Sequence, residues 1–371
     1  MDIRVKRGDL LRELQVIQPI VAGKHTIPIL ANVLLRAELG VLHLSATDLD
    51  IALACSCPAI VTTPGATTLP AAKLCEMVKA LPPDAEIGLA HTAGGAGVTV
   101  TGAGFRARLG ELSPEDFPAL SEPTGQATVF PAAALRWLLR SRFIVSDSDT
   151  KSIPYAAGML LRIEAASLTA VTTDGRRMAV AVAPRETNTP TDDAVVPRKT
   201  VLALVEQLSD LANDAPVTYM RGENLLFFEI AGRLLTSRVL DAKYPAWQRV
   251  IPTKGLSPLT VNRALLQETV QRVGLVSDEV FRKISIQADT NALAISAQSI
   301  ELGDADERLV VTYAGPTVVL KFAQPFLIEF LKAMDTEQVT LALPETGTGA
   351  MLLTPVGSER EFSYILMPIV G

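Results

Sequence analysis

Histidine and cysteine are scarce in this chain, three of each among 371 residues. Cys55 and Cys57 alternate along the apparent strand ALACSC, and Cys75 falls in an apolar helical segment. With only His25, His43 and His91 besides, no four-ligand set at zinc spacing can be assembled. The cysteines read as small core or strand residues, and neither a metal nor a cofactor is predicted. No run reaches 18 apolar residues, so no membrane-spanning helix is expected. The opening MDIRVKRGDLLRELQ alternates and then turns amphipathic, without the apolar stretch of a secretion signal, which predicts a cytoplasmic protein. Gly-x-Ser-x-Gly is missing, and the glycine-rich HTAGGAGVTVTGAGF leads into a strand rather than a helix, so it builds no phosphate cradle. A catalytic role is therefore not expected.

What is present is an ordinary globular composition, 48% hydrophobic and 20% charged, long enough for two to four domains. The net charge of -6 speaks, taken globally, against a nucleic-acid binder.

The chain repeats itself. LSATDLDIAL (44–53) resembles LTAVTTDGRRMAV (168–180), placing Asp48 and Asp174 126 positions apart. Pro70 and Pro197 stand 127 apart in matching strand-to-helix passages, and Phe117-Pro118 and Tyr244-Pro245 repeat that interval. A third, fainter copy contains LAISAQSIEL, the helical LKFAQPFLIEFLKAM and the closing EFSYILMPIVG. Landmarks in one order at one spacing mark a threefold repeat. The Pro-, Gly- and Thr-bearing stretches 120–130 and 251–260 read as linkers, giving units of 1–122, 128–252 and 257–371. Within each unit one amphipathic helix followed by short alternating runs occurs twice. Six such halves predict an α+β protein of antiparallel strands and six helices: 10–21, 72–81, 132–143, 198–208, 262–273 and 322–333.

Charge is unevenly spread over that plan. The six helical windows hold eleven basic residues, Arg136, Arg140, Arg198, Lys199 and Arg272 among them, and five acidic ones. The helices therefore carry a surplus of six positive charges, and the remainder of the chain is strongly negative. Such a surface would track phosphates without reading sequence. The windows hold few aromatics (Trp137, Phe143, Phe322, Phe326 and Phe330), so base stacking is not indicated.

Seven stretches in register, KHTIPILANVLL, SATDLDIAL, GATTLPAAK, TTDGRRMAV, VVPRKTV, YPAWQRVIP and YILMPI, resemble the bacterial sliding clamps, the beta subunits of DNA polymerase III. The resemblance spans essentially the whole chain. It implies a DNA-clamp fold of three similar domains, two copies closing head to tail into a ring around duplex DNA. It further implies a non-catalytic processivity factor that tethers the replicative polymerase and recruits repair polymerases and the clamp loader. Carried over by motif, DNA contacts fall on Lys24, Lys73, Thr150, Tyr155, Arg198 and Lys199, beside Arg136 and Arg140 from the charge pattern. A groove for short linear peptides falls on Ala156, Thr173, Gly175, Arg176, Arg177, Met178, Pro245, Arg249, Val250 and the tail Ile365, Leu366, Met367, Pro368 and Ile369. The dimer contact falls on Ala107, Leu109, Leu275 and Val276.

The chain departs from the family in several places. Lys24 stands for an arginine, Arg176 for a histidine and Ala107 for an aromatic; Pro154-Tyr155 replaces paired aromatics, and no basic residue follows the Met-Pro tail. These departures suit a second reading, a diverged clamp paralogue acting mainly as a protein-interaction scaffold.

Overall fold

Alternation decides the first element. In the strand Asp2–Lys6, Ile3 and Val5 are buried while Asp2, Arg4 and Lys6 face solvent. We describe the chain from a computed structural model covering residues 1–21, 26–92, 97–146, 153–185, 191–278 and 282–369. Helix α1 (Arg7–Val21) follows, burying Leu10, Leu14, Ile17 and Val21 at helical spacing. Five more helices occupy the positions that the periodicity marks: α2 (Ala71–Ala80), α3 (Ala132–Leu138), α4 (Arg198–Leu208), α5 (Arg263–Gly274) and α6 (Gln324–Ala333). The window 132–143 is only partly α-helical, since the backbone tightens into 3₁₀ turns over Leu139–Ile144. There the carbonyl of Ser141 accepts the Thr172 hydroxyl at 2.8 Å, a partner that lies outside the helix. No helix among the described residues is long and apolar enough to cross a membrane.

Among the described residues four antiparallel sheets carry these helices, and the two largest ignore the repeat boundaries. One eight-stranded sheet joins four strands of the first repeat to four later ones through the pairing of Arg233–Arg238 with Ile51–Pro58, Leu235 opposite Leu53. The other does the same through Arg177–Pro184 and Phe362–Leu366, Ala179 opposite Tyr364. The chain accordingly divides into two compact units, Met1–Ala133 with Lys199–Val239, and Ala134–Arg198 with Leu240–Gly371. The central repeat is thus shared between both, because each of its halves completes a neighbour's sheet.

Two stretches read as linkers are partly strand. Thr128–Pro131 pairs with Pro216–Arg221, and Leu256–Asn262 with Gln338–Pro344. Both are terminal strands of their sheets, where Pro131 and Pro258 cost no ladder bond on the open side.

Glu13 corrects the simple view of a helix-surface acid. Although it lies on α1 it is buried, and Arg233 from a distant hairpin donates to both its oxygens at 2.7 and 2.9 Å. Burial pushes its carboxyl up, but the hydrogen bonds and charge of Arg233, joined by Arg12, outweigh this and hold it below the usual carboxylate range. A carboxyl depressed in the folded state contributes stability above its unfolded value of about 4.3 and loses that contribution as pH falls through the folded value. Glu13→Gln should therefore flatten the loss of urea stability below about pH 4.3, and should cost roughly 3 kcal/mol at pH 7 by leaving Arg233 without a counter-charge. An unchanged acid limb in the variant would remove Glu13 from the acid response.

Candidate functional site

The repeated Thr-Asp pair noted in the sequence is a repeated turn. At Thr173–Arg177 the Thr173 hydroxyl donates to the Arg177 carbonyl at 2.8 Å and accepts the Gly175 amide. Asp174 Oδ1 accepts the amides of Arg176 and Arg177 at 3.0 and 3.1 Å. At Thr47–Ile51 the pattern recurs: Thr47 binds the Ile51 carbonyl and the Leu49 amide, and Asp48 Oδ1 takes the amides of Asp50 and Ile51. The central residue is left-handed in both, Gly175 at φ 84° and Leu49 at φ 80°. Glycine accepts that region without strain, leucine does not.

Each aspartate has a second oxygen to spare, and here the turns diverge. Asp48 Oδ2 pairs with Lys199, whose ammonium also donates to the Ile20 carbonyl at 3.1 Å. Asp174 Oδ2 takes Arg177 Nε at 2.9 Å. Arg177 is buried, also pairs with Glu329, and lays its guanidinium 3.9 Å from the Phe326 ring centroid. Burial opposes its charge, but Tyr364, Glu329 and Asp174 together hold it more firmly protonated. Arg177 is thereby a strut beneath the turn, while Arg176 beside it is exposed.

The C-terminal tail is pinned against that turn. After the strand Phe362–Leu366, the Met367 amide donates to the Arg176 carbonyl at 3.1 Å, and the Ile369 amide to the Lys321 carbonyl at 2.7 Å. Met367, Pro368 and Ile369 then form one wall of a cleft of about 480 Å³. Ala323, Pro325 and Phe326, at the start of α6, form another, with Arg176 and Arg282 completing the lining. Met367 is 44% exposed, large for an apolar side chain, whereas Ile365 and Leu366 are core. Next to the tail lies a second apolar cluster, with Met178 and Ile365 buried among Leu160, Val171 and Val195, and Tyr244 and Trp247 packed on it. The Tyr244 hydroxyl donates to the Val171 carbonyl at 2.8 Å, which ties down the segment bearing the exposed Pro245, Arg249 and Val250.

The predicted groove residues thus fall into three groups. Arg176, Met367, Pro368 and Ile369 meet in the cleft. Ala156, Thr173, Arg177, Met178, Ile365 and Leu366 are buried. Gly175 is exposed in the turn, and Pro245, Arg249 and Val250 line no wall of the cleft. Sequence reasoning missed Arg282, Ala323, Pro325 and Phe326, which are remote from the motifs that carry the rest. Their only signal is the triplet Phe322, Phe326 and Phe330 at helical spacing, of which the middle ring alone is left partly exposed.

The cations are less free than the charge pattern suggests. Lys73 pairs with Glu76 at 2.7 Å, and Arg140 binds both oxygens of Asp335 at 2.6 and 2.8 Å while resting over Trp137. Arg140 draws the Asp335 carboxyl below its usual range. Lys199 is taken by Asp48, and Arg272 by Glu307 and Glu268. The helical surplus is therefore partly neutralised in place by Asp48, Glu307 and Asp335, acids from neighbouring turns and strands that the helix count omits. Arg136 and Arg198 are half-buried, and Tyr155 stacks its ring 5.5 Å from that of Tyr244. Lys24 and Thr150 lie outside the described residues.

Two sheet edges complete the picture. Phe105–Leu109 ends the five-stranded sheet and bonds only to Val98–Gly102, with Leu109 buried and Ala107 half-buried. Gly303–Val310 ends the four-stranded sheet, leaving Val310 94% exposed and Ile300 and Leu302 outside as well. Leu275, just after α5, is 78% exposed, and Val276 is half-buried. Unpaired edges bearing large apolar side chains are open to pairing with another chain.

Comparison with known proteins agrees with this anatomy. Profiles of the DNA polymerase III beta subunit match its N-terminal domain over residues 1–121, its central domain over 133–246 and its C-terminal domain over 248–370. The beta sliding clamps of Escherichia coli K12 and Pseudomonas putida KT2440 are 30% and 32% identical, each aligned over 100% of both chains. Among solved structures, the Pseudomonas aeruginosa sliding clamp bound to griselimycin superposes with a TM-score of 0.93 at 29% identity, and the Caulobacter crescentus clamp with 0.91 at 27%, both over the full length of each chain. A chain that matches all three domains in order and whole relatives end to end belongs to the beta sliding clamp family, the beta subunits of DNA polymerase III.

Proposed function

We propose that this chain closes with a second copy into a ring threaded on duplex DNA, where it tethers the replicative polymerase without catalysing a reaction itself. The full-length likeness to solved sliding clamps carries the reading. The work is that of the cytoplasm, and no cofactor enters it. Ring closure would bring the Phe105–Leu109 edge of one copy, with Ala107 and Leu109, against the third repeat of the next, near Leu275, Val276 and the Gly303–Val310 edge. In such a ring the exposed Arg106 would face a strand holding the exposed Asp304 and Asp306, edges of complementary charge.

The proposed DNA contacts are Lys24, Lys73, Thr150, Tyr155, Arg198, Lys199, Arg136 and Arg140. An ion-paired arginine still offers donors to a passing phosphate, and weak contacts suit a ring retained by topology. The same pairing favours the second reading, a scaffold with little hold on DNA. Retention on primed circular DNA, loaded with a matching clamp loader and challenged with about 0.5 M salt, separates the two because free phosphate contacts are screened there. A threaded ring should stay on circles and run off once they are linearised. Equal loss from both would exclude threading.

The cleft and the adjoining cluster are the proposed docking site for client peptides of polymerases, loader and repair proteins. Met suits such a surface because its flexible thioether adapts to several anchors. Replacing Met367 and Pro368 together by Ala should cost about 2 kcal/mol of peptide binding, roughly thirtyfold in Kd, with the thermal midpoint unchanged. Undiminished peptide affinity in the folded double variant would remove the tail from the site.

A further inference from the structure

A second cleft, of about 430 Å³, opens where α1, the end of α4 and the hairpin turn at Ala231 come together. The buried ion pair of Glu13 and Arg233 lines it. Arg233 spends Nε and Nη2 on Glu13, and Arg12 divides its donors between Glu13 and Asp9. The cations of this cleft are therefore matched, and its other acids are not. Glu206 and Asp210 are exposed, and neither carboxylate has an ion-pair partner among the described residues. Both stand at the C-terminal end of α4, whose last turn carries no basic residue, so the partial negative charge of the helix end adds to theirs. Between them in the chain lies Gln207, only 4% exposed and also lining the cleft. Neither its amide nitrogen nor its amide oxygen has a hydrogen-bond partner among the described residues. A carboxamide buried in that state destabilises the fold that holds it.

We propose that this cleft binds the primary ammonium end of a linear aliphatic amine, a small molecule of the polyamine class. An ammonium carries three donors and no acceptor, so one group answers Glu206, Asp210 and Gln207 Oε1 together. Charge-assisted hydrogen bonds to the two carboxylates supply the attraction, and the negative helix end adds to it. The half-buried Val16 and Leu211 offer apolar surface to the methylenes that follow, as apolar surfaces do for the stem of a lysine. The cleft is also many times larger than the share of about 30 Å³ that one water occupies. An anion is disfavoured, because both arginines are already committed to carboxylates. The walls come from the first and second repeats within one compact unit, so a bound amine would brace the seam between them.

The test is equilibrium dialysis of the full chain against radiolabelled spermidine, without DNA and at about 0.1 M salt. Binding should saturate at one spermidine per chain. Tetramethylammonium, a cation without N–H donors, should fail to displace the probe even at about a hundredfold excess. Replacing both exposed acids, E206Q with D210N, should weaken binding about tenfold. Q207M, similar in length and equally uncharged, should weaken it about fivefold and raise the thermal midpoint of the free protein, since the unpaired amide is gone. Several loosely held amines per chain, displaced equally by tetramethylammonium, would reduce the effect to counter-ion screening and overturn the site. Full affinity in either variant overturns it as well. If Q207M fails to fold, the surface variant E206Q with D210N decides alone. No saturable binding to wild-type protein up to about 10 mM spermidine would leave the cleft to water and end the proposal.

Discussion

The antiparallel pairing of Arg177–Pro184 with Phe362–Leu366 is the contact on which the docking site depends. It joins residues some 185 positions apart in the chain, Arg177 opposite Leu366, and so carries the Thr-Asp turn directly to the C-terminal tail. Once that register is set, Met367 leaves the sheet against the Arg176 carbonyl, and its side chain has only the cleft to occupy. A slip of one residue would exchange the faces of Tyr364 and Ile365, because side chains alternate along a strand, and would carry the tail away from the Arg176 carbonyl. The register is in turn guarded by core: Phe362, Tyr364 and Leu366 are all buried, with the Tyr364 ring stacked 5.2 Å from that of Phe330. Apolar packing thus fixes the position of a surface whose value lies in what it leaves unpaired.

Duplication explains how one turn of the matched pair comes to border the proposed docking site. Thr47–Ile51 and Thr173–Arg177 share their hydrogen bonds and their left-handed centre, so the fold supplies the same anchored loop twice. In the first copy Asp48 is occupied by Lys199, and leucine sits at the strained position. In the second the aspartate is bridged within its own turn by Arg177, and glycine relieves the strain. The local cation Arg177 meets the aspartate within the turn and ties that turn to Glu329, while the neighbouring Arg176 is exposed. The difference between a structural turn and a binding turn is therefore a matter of where the counter-charge comes from.

Much of this was legible in the sequence, for identifiable reasons. Helix positions follow from the 3.6-residue periodicity, and the repeat follows from Asp48 and Asp174, Pro70 and Pro197, whose backbone duties are the same in both copies. The tail Met367-Pro368 stood out because it closes the third copy where Tyr244-Pro245 closes the second, and because the family resemblance places the groove there. What stayed hidden depends on long-range pairing. Nothing in the local pattern says that the central repeat is split between two sheets, or that Arg282 and Phe326 meet the tail. The charge count failed for a related reason: it treated Glu13, Lys199 and Arg140 as surface residues of their own helices, whereas their partners Arg233, Asp48 and Asp335 lie 220, 151 and 195 positions away.

The paired cations nevertheless fit a ring that slides. A carrier held by topology gains nothing from strong phosphate contacts, since each must break at every step along the duplex. Arginines and lysines already satisfied by an acid offer a phosphate only part of their attraction, and the aspartates and glutamates beside them limit how deeply a bound position can trap the ring. The cleft demands the opposite. A client must be held long enough for synthesis or repair, and there the structure leaves Arg176 and Arg282 unmatched over an apolar floor. On the proposed reading one chain handles its charge in two ways, neutralised where motion is required and exposed where capture is required, and both arise from which carboxylates the folded backbone brings within reach.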